Sequence, residues 1–214
     1  LIKIAEDQGA KGSIYYQDEP LGTAHAILCA APALTGKVVI AFADTLFKTE
    51  MIADTANSDG IIWVSKIEDP RMFGVVKLDS GGVITDFVEK PTTFVSDLAI
   101  IGIYYIKDGD NLKAELQYLI DNDIRDKGEY QLTNALENMK LKGKKLRAAT
   151  VEEWLDCGNK DATVYTNSRV LEIKKGAAGN FTKTANIKNS VIINPCFIGE
   201  DVIIENSVIG PHVS

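Results

Sequence analysis

Apolar residues recur along this chain in three rhythms, and each implies a different element. Apolar runs at residues 38–43 and 99–106, and one over 60–67 interrupted by Ser65 and Lys66, suit buried strands, the first on both faces as in a parallel sheet. Helical spacing covers 1–9, 24–30, 48–57, 111–120, 129–141 and 161–174. Gly9 is placed to terminate the first helix and Thr23 to cap the second. Residues 13–17 read as a strand ending in a turn at Glu19-Pro20, and 146–151 as a late strand leading to 153–156. Residues 73–78 and 83–88 flank Asp79-Ser80-Gly81-Gly82, a hairpin signal. Strand, helix, strand in this order predicts an α/β sheet with right-handed crossovers.

The third rhythm is a count of six. Ile187, Ile192, Ile198, Ile204 and Ile209 are each followed four residues later by Val191, Cys196, Val202, Val208 and Val213, with turn formers such as Asn189-Ser190, Asn194-Pro195 and Gly210-Pro211 between them. Hexads of this kind build flats of a parallel β-helix, three to a coil, with the isoleucines pointing inward. Irregular hairpins are the plainer reading, but a meander of strands would show a period of two. Gly176-Ala177-Ala178-Gly179 reads as a linker. The expected organisation is therefore an α/β domain over 1–175, a linker over 176–183 and a β-helix stub over 184–214. Such a stub cannot cover its own last coil, and Leu1 opens the chain with no capping residue ahead of it. The sequence is expected to be the middle and end of a longer protein.

Composition narrows the function. Hydrophobic residues at 45% and charged residues at 25% are ordinary for a soluble globular chain. A net charge of −7 argues against a nucleic-acid partner. No apolar run is long enough to span a membrane, and the residues at the start of the sequence show no signal-peptide pattern. The three cysteines, Cys29, Cys157 and Cys196, have no metal-like spacing and imply free thiols in a reducing cytoplasm. With His25 and His212 the only histidines, a histidine-built zinc site and an ordinary serine–histidine triad are excluded.

Ligands of open α/β sheets bind beyond the carboxyl ends of strands. Asp44 follows an apolar run there and could hold Mg²⁺, with Asp156 completing the site; capping aspartates are the plainer reading of both. Lys90, in Glu89-Lys90-Pro91, could neutralise a phosphate, or could be a solvated charge before a strand-ending proline. Gly22 and Thr23 open a helix whose free N–H groups could meet a base edge or an anion. Gly74 and Gly102 interrupt strands, where glycine weakens pairing unless something approaches the backbone closely. No G-x-x-x-x-G-K-[ST] or G-x-G-x-x-G loop occurs.

Taken in order, Gln17 with Pro20-Leu21-Gly22-Thr23-Ala24-His25-Ala26, then Ala43-Asp44, Phe73-Gly74-Val75-Val76, Glu89-Lys90-Pro91, Gly102-Ile103-Tyr104, Gly128-Glu129-Tyr130-Gln131-Leu132-Thr133 and Trp154-Leu155-Asp156-Cys157-Gly158 resemble the sugar-1-phosphate nucleotidyltransferases, or nucleoside-diphosphate-sugar pyrophosphorylases. The glucose-1-phosphate thymidylyltransferase and uridylyltransferase branch is the nearest in pattern. The resemblance implies a partial doubly wound mixed sheet followed by a left-handed parallel β-helix of hexapeptide repeats. It implies that Gln17 and Gly22 recognise the nucleotide base, and that Asp44 and Asp156 hold Mg²⁺ between the α-phosphate and the sugar phosphate. Gly74 would let the sugar approach, Glu89 would bind its hydroxyls, Lys90 would pair with its phosphate, and Gly102 would line its pocket. The implied reaction joins a nucleoside triphosphate, dTTP or UTP, to a sugar-1-phosphate, glucose-1-phosphate first. N-acetylglucosamine-1-phosphate with UTP and mannose-1-phosphate with GTP are the alternatives. A cytoplasmic homo-oligomer is expected.

Two departures from the family pattern stand out. The Gly-rich loop with its arginine and nearby lysine precedes everything present, so the chain alone is expected not to turn over. Ala43 stands where the family usually carries glycine. Two other readings compete: a catalytically silent paralogue that binds sugar nucleotide or a partner subunit, and an acyltransferase role for the β-helix.

Overall fold

The structure, a computed structural model, describes residues 2–49, 55–175 and 184–214. By contact density the chain divides into two compact units. The first comprises residues 1–42 and 49–152, the second 43–48 and 153–214.

The first unit is organised by one strand. Helix α1 (Ile2–Asp7) ends at Gly9, whose left-handed φ of 76° lets its N–H and that of Ala10 reach the Glu6 and Ala5 carbonyls. Helix α2 (Thr23–Cys29) and a 3₁₀ turn (Ala31–Ala33) lead to β1 (Val38–Ala41). Strands β3 (Gly60–Lys66), β4 (Gly74–Leu78), β5 (Ile84–Glu89), β6 (Leu98–Ile106) and β7 (Leu146–Thr150) complete the sheet, while β2 (Thr45–Lys48) belongs to the second unit. The order is β5-β4-β6-β3-β7, with β1 pairing β6 beside β4. Strand β6 is buried at eight of its nine positions because it has neighbours on both edges and packing on both faces.

Helices α3 (Gly109–Asp121) and α4 (Leu132–Leu141) cover one face. They bury Leu112, Leu116 and Leu119, and Leu132, Leu136 and Met139, at helical spacing against Ile62, Val64, Tyr104 and Ile106. Each such side chain contributes roughly 1.5–3 kcal/mol of transfer free energy. Alternate residues, Ile61, Tyr105 and Ala149 with Trp63, form a smaller cluster on the other face.

Several expectations need correction. Among the described residues, 13–17 pair with no strand; Ile14 and Tyr16 stay 51% and 79% exposed, so the apolar pattern found no sheet edge there. The run at 38–43 ends as a strand at Ala41, and it is antiparallel to β6 and half-buried on one face only, with Val39 68% exposed. The sheet is mixed and mostly antiparallel; among its described strands only β3 and β7 run parallel. Of the helix expected at 48–57, Lys48 ends β2 and residues 55–57 are not helical, while residues 50–54 lie outside the described residues. The linker at 176–183 lies outside them as well.

In the second unit, β2 pairs antiparallel with β8 (Glu153–Asp156), and α5 (Lys160–Ile173) follows. Its N-cap Asn159 accepts from the N–H groups of Asp161 and Ala162. Farther on, β9 (Asn186–Lys188) runs parallel to β11 (Ile203–Glu205), and β10 (Val191–Ile192) to β12 (Val208–Ile209). Partners lie 17 residues apart, as do Asn189 and Asn206, both left-handed and joined side chain to side chain at 2.6 Å. Ile198 and Ile204 are buried, whereas Val191 and Val208 face solvent.

The buried Glu115 carboxylate joins α3 to α4, whose first turn carries Thr133. It accepts two bonds from Lys142 Nζ at 2.7 and 2.8 Å. Lys142→Met should cost roughly 1–3 kcal/mol by leaving that carboxylate unpaired. The paired Glu115→Gln/Lys142→Met variant should recover part of the loss, as urea unfolding would show. Equal midpoints for wild type and Lys142→Met would contradict this account.

Candidate functional site

In the first unit, the segment around Gly22 is fitted to the main chain of Tyr130. Gly22 has a φ of 108°, and a side chain there would start 2.5 Å from the Tyr130 carbonyl oxygen. The Tyr130 N–H donates to the Leu21 carbonyl at 2.8 Å, and the Tyr130 carbonyl accepts from the Ala24 N–H at 2.9 Å. The Ala24 N–H, expected to be free for a ligand, is thus already used. Thr23 does not cap its own helix. Its hydroxyl accepts from the Leu132 N–H at the start of α4 and donates to Gln131 Oε1. Gln17 is exposed; its amide donates to the Gly22 carbonyl at 3.1 Å and lies 3.0 Å from His25 Nδ1. Gln17 and Gly22, paired from sequence, therefore meet here.

A second cluster forms where β4, β5 and α4 converge. Register places Gly74 opposite Glu89, and a side chain on Gly74 would start 3.0 Å from Glu89 Oε2 and 3.1 Å from Thr133 Cγ2. The Thr133 hydroxyl donates to the same oxygen at 3.0 Å. Burial pushes the Glu89 carboxyl above its ordinary value. The Thr133 hydrogen bond and the Lys90 and Lys127 ammonium groups oppose the rise, and Asp126 adds to it. Burial, with the Glu89 charge, also drives the Tyr104 phenol strongly upward. Lys90 is exposed and left-handed at φ 41°, and its carbonyl accepts from Lys127 Nζ at 2.6 Å.

Gly102 sits inside β6 at a φ of 84°, where β6 advances four residues while β3 advances two. The group filling the space beside it is Phe42, whose ring carbons and Cβ would lie 3.0–3.1 Å from an added side chain.

The second unit holds Asp44 and Asp156. The β2–β8 ladder sets Thr45 opposite Asp156, and the Cys157 N–H donates to the Asp44 carbonyl at 2.8 Å. Both carboxylates turn toward Gly158. A side chain there would start 3.1 Å from Asp156 Oδ1 and 3.7 Å from Asp44 Oδ2, and the Gly158 N–H donates to Asp156 Oδ1. From α5, the buried Thr166 hydroxyl holds the Asp156 carbonyl at 2.6 Å. Among the described residues no three His, Cys, Asp or Glu side chains gather as a metal cluster. Two hard carboxylates with room beside them fit Mg²⁺, which keeps several waters and takes one or two protein carboxylates.

Sequence reading missed Thr133, Thr166, Lys127 and the part Gly158 plays. Thr133 and Gly158 stood inside recognised motifs, but their contacts depend on chain segments 44 and 114 residues away, respectively.

The first 173 residues match the family model described as nucleotidyl transferase. The chain is 30% identical over 219 residues to a glucose-1-phosphate thymidylyltransferase of Streptomyces antibioticus, covering 92% of this chain and 60% of that protein. It is 29% identical over 189 residues to the bifunctional protein GlmU of Methanococcus vannielii, covering 83% and 43%. The chain thus spans well under two thirds of the length of these relatives. Its fold is similar to the crystal structure of a nucleoside-diphosphate-sugar pyrophosphorylase from Vibrio cholerae RC9, with a TM-score of 0.66, 17% identity, and coverage of 77% of this chain and 73% of that one.

The Glu89 environment predicts a titration. Because its folded pKa is raised, both states are protonated below the unfolded value. As pH rises, the unfolded chain releases its proton first. Its stabilising contribution is therefore full at low pH and is lost as pH climbs through the folded pKa. Thr133→Val removes the largest opposing interaction and should move the Glu89 titration to still higher pH, measured by carboxyl-carbon NMR. A downward move, or none, would contradict the arrangement.

Proposed function

The chain belongs to the nucleotidyl transferase family, and on that footing we propose that the full-length protein transfers a nucleotidyl group from a nucleoside triphosphate to a sugar-1-phosphate. The phosphate oxygen of the sugar-1-phosphate attacks the α-phosphorus in line, the bond to the β-phosphate breaks, and pyrophosphate leaves. We favour dTTP or UTP as donor and glucose-1-phosphate as acceptor, in keeping with the Streptomyces antibioticus relative's name.

The observation that carries the reading is the convergence of Asp44 Oδ2 and Asp156 Oδ1 on the space beside Gly158. These two carboxylates would hold Mg²⁺, whose chemistry is to neutralise the phosphate oxygens that repel the incoming anion. Gln17 and Gly22 meet the base with an amide and a close main-chain surface. Glu89, held by Thr133, accepts from sugar hydroxyls, and Gly74 leaves the sugar room beside that carboxylate. Lys90 pairs with the sugar phosphate as a compact point charge, and Gly102 lines the sugar pocket through its bend in β6. Every role is one of positioning or charge neutralisation, as phosphoryl-type transfer requires, and no protein nucleophile takes part.

We read the two parallel ladders, 17 residues apart, as the opening coil of a left-handed β-helix of hexapeptide repeats over 184–214, after an α/β domain over 1–175 and a linker over 176–183. The buried Ile198 and Ile204 and the exposed Val191 and Val208 support it. A homo-oligomer formed through that coil, working in the cytoplasm, completes the proposal.

The test is pyrophosphate release by the full-length protein across triphosphates and sugar phosphates. Asp44→Asn and Asp156→Asn should each lower kcat/KM by more than the roughly 10- to 100-fold typical of an outer-shell metal partner. Lys90→Met should chiefly raise KM for the sugar phosphate. Full activity in both aspartate variants would remove the metal reading.

A further inference from the structure

Tyr130 is gripped from both ends. Its main chain holds the Gly22 segment through Leu21 and Ala24, while its buried side chain is held by two polar neighbours. The phenol donates to Asp123 Oδ1 at 2.7 Å and accepts from Arg125 Nη2 at 2.9 Å. Arg125 Nε donates to the same Asp123 oxygen at 2.7 Å, and Nη1 reaches the Gly128 carbonyl at 3.3 Å. The guanidinium carbon lies 4.4 Å from the Tyr130 ring centroid, within cation–π range. Between Arg125 and Tyr130 the chain makes a tight turn closed by two hydrogen bonds between Asp126 and Glu129, with Lys127 and Gly128 both left-handed.

We propose that Asp123 and Arg125 are positioning residues: by clasping the Tyr130 ring they fix its main chain, and through it residues 21–24, and so set affinity for the nucleoside triphosphate. The inference rests on the reading above that Gln17 and Gly22 meet the base. The fit at Gly22 is what makes the coupling stiff. With so little space between Gly22 and the Tyr130 carbonyl, a shift of Tyr130 must either push the Gly22 loop or open the Leu21 and Ala24 hydrogen bonds. The side of Tyr130 facing Gly22 carries the function, and the side facing Asp123 and Arg125 sets its place. Arginine suits the task because one rigid fork serves carboxylate, phenol and carbonyl together while its plane meets the ring. A lysine would keep the charge and lose the fork.

The experiment measures pyrophosphate release by the full-length protein with each substrate varied in turn, in wild type, Tyr130→Phe, Arg125→Met and Arg125→Lys. Tyr130→Phe and Arg125→Met should raise KM for the nucleoside triphosphate roughly three- to tenfold. KM for the sugar-1-phosphate, which the same turn reaches only through the Lys127 bond to the Lys90 carbonyl, should rise less, and kcat should stay within about twofold. Arg125→Lys should fall between wild type and Arg125→Met. Amide hydrogen exchange at Ala24 and Tyr130 should quicken in the first two variants. An unchanged triphosphate KM overturns the proposal, as does an equal rise in both KM values accompanied by a lower melting midpoint. A wild type that releases no pyrophosphate with any triphosphate overturns the base-site reading and the clasp with it, whereas an active wild type with indifferent variants overturns the clasp alone.

Discussion

Everything in the first unit hangs on the burial of β6. A nine-residue strand with neighbours on both edges and side chains packed on both faces has no water to satisfy its polar groups, so its ladder must be complete. That requirement fixes β3 along one edge and shares the other between β1 and β4. It also makes the interruption at Gly102 informative. The strand breaks register with β3 there while the Phe42 N–H still reaches the Gly102 carbonyl at 2.9 Å. With β6 fixed, β4 is held at Val75 opposite Ala99, β5 follows in register, and Gly74 is brought beside Glu89.

In each unit the candidate residues are set by close approaches more than by charges. Gly22 against Tyr130, Gly74 against Glu89 and Gly158 against the two aspartates are three places where a methyl group would meet an oxygen. In each, a neutral donor steadies the contact: the Gln17 amide at the Gly22 carbonyl, the Thr133 hydroxyl at Glu89, and the Gly158 N–H at Asp156. Neutral donors hold a carboxylate in place without cancelling its charge, so Glu89 and Asp156 keep their capacity as acceptors. This suits a site whose work is orientation and charge placement.

What the sequence revealed, and what it hid, follows from the range of the interactions. β3, β6, the β4–β5 hairpin and helices α3 and α4 were legible because each buries enough apolar surface to impose its own period. The strand expected at 13–17 failed because alternation says nothing about whether an edge is available to pair with. Thr23 looked like a local cap, yet its hydroxyl serves Leu132, 109 residues on. Asp44 and Asp156 were legible as strand-end carboxylates, but their convergence depends on the β2–β8 pairing, which no local pattern encodes. The Asp123, Arg125 and Tyr130 clasp was hidden for the opposite reason. Asp123 and Arg125 lie between the helices expected at 111–120 and 129–141, and Tyr130 reads as part of the second, which begins only at Leu132.

The account's central claim is that a nucleotidyl group passes directly from triphosphate to sugar phosphate. Phosphorus NMR of the full-length protein turning over dTTP or UTP with glucose-1-phosphate in the presence of Mg²⁺ tests it most directly. The account predicts one sugar nucleotide for each pyrophosphate released, and no pyrophosphate when the sugar-1-phosphate is omitted. Pyrophosphate without a sugar nucleotide, or no sugar nucleotide from any triphosphate and sugar phosphate offered, would contradict it.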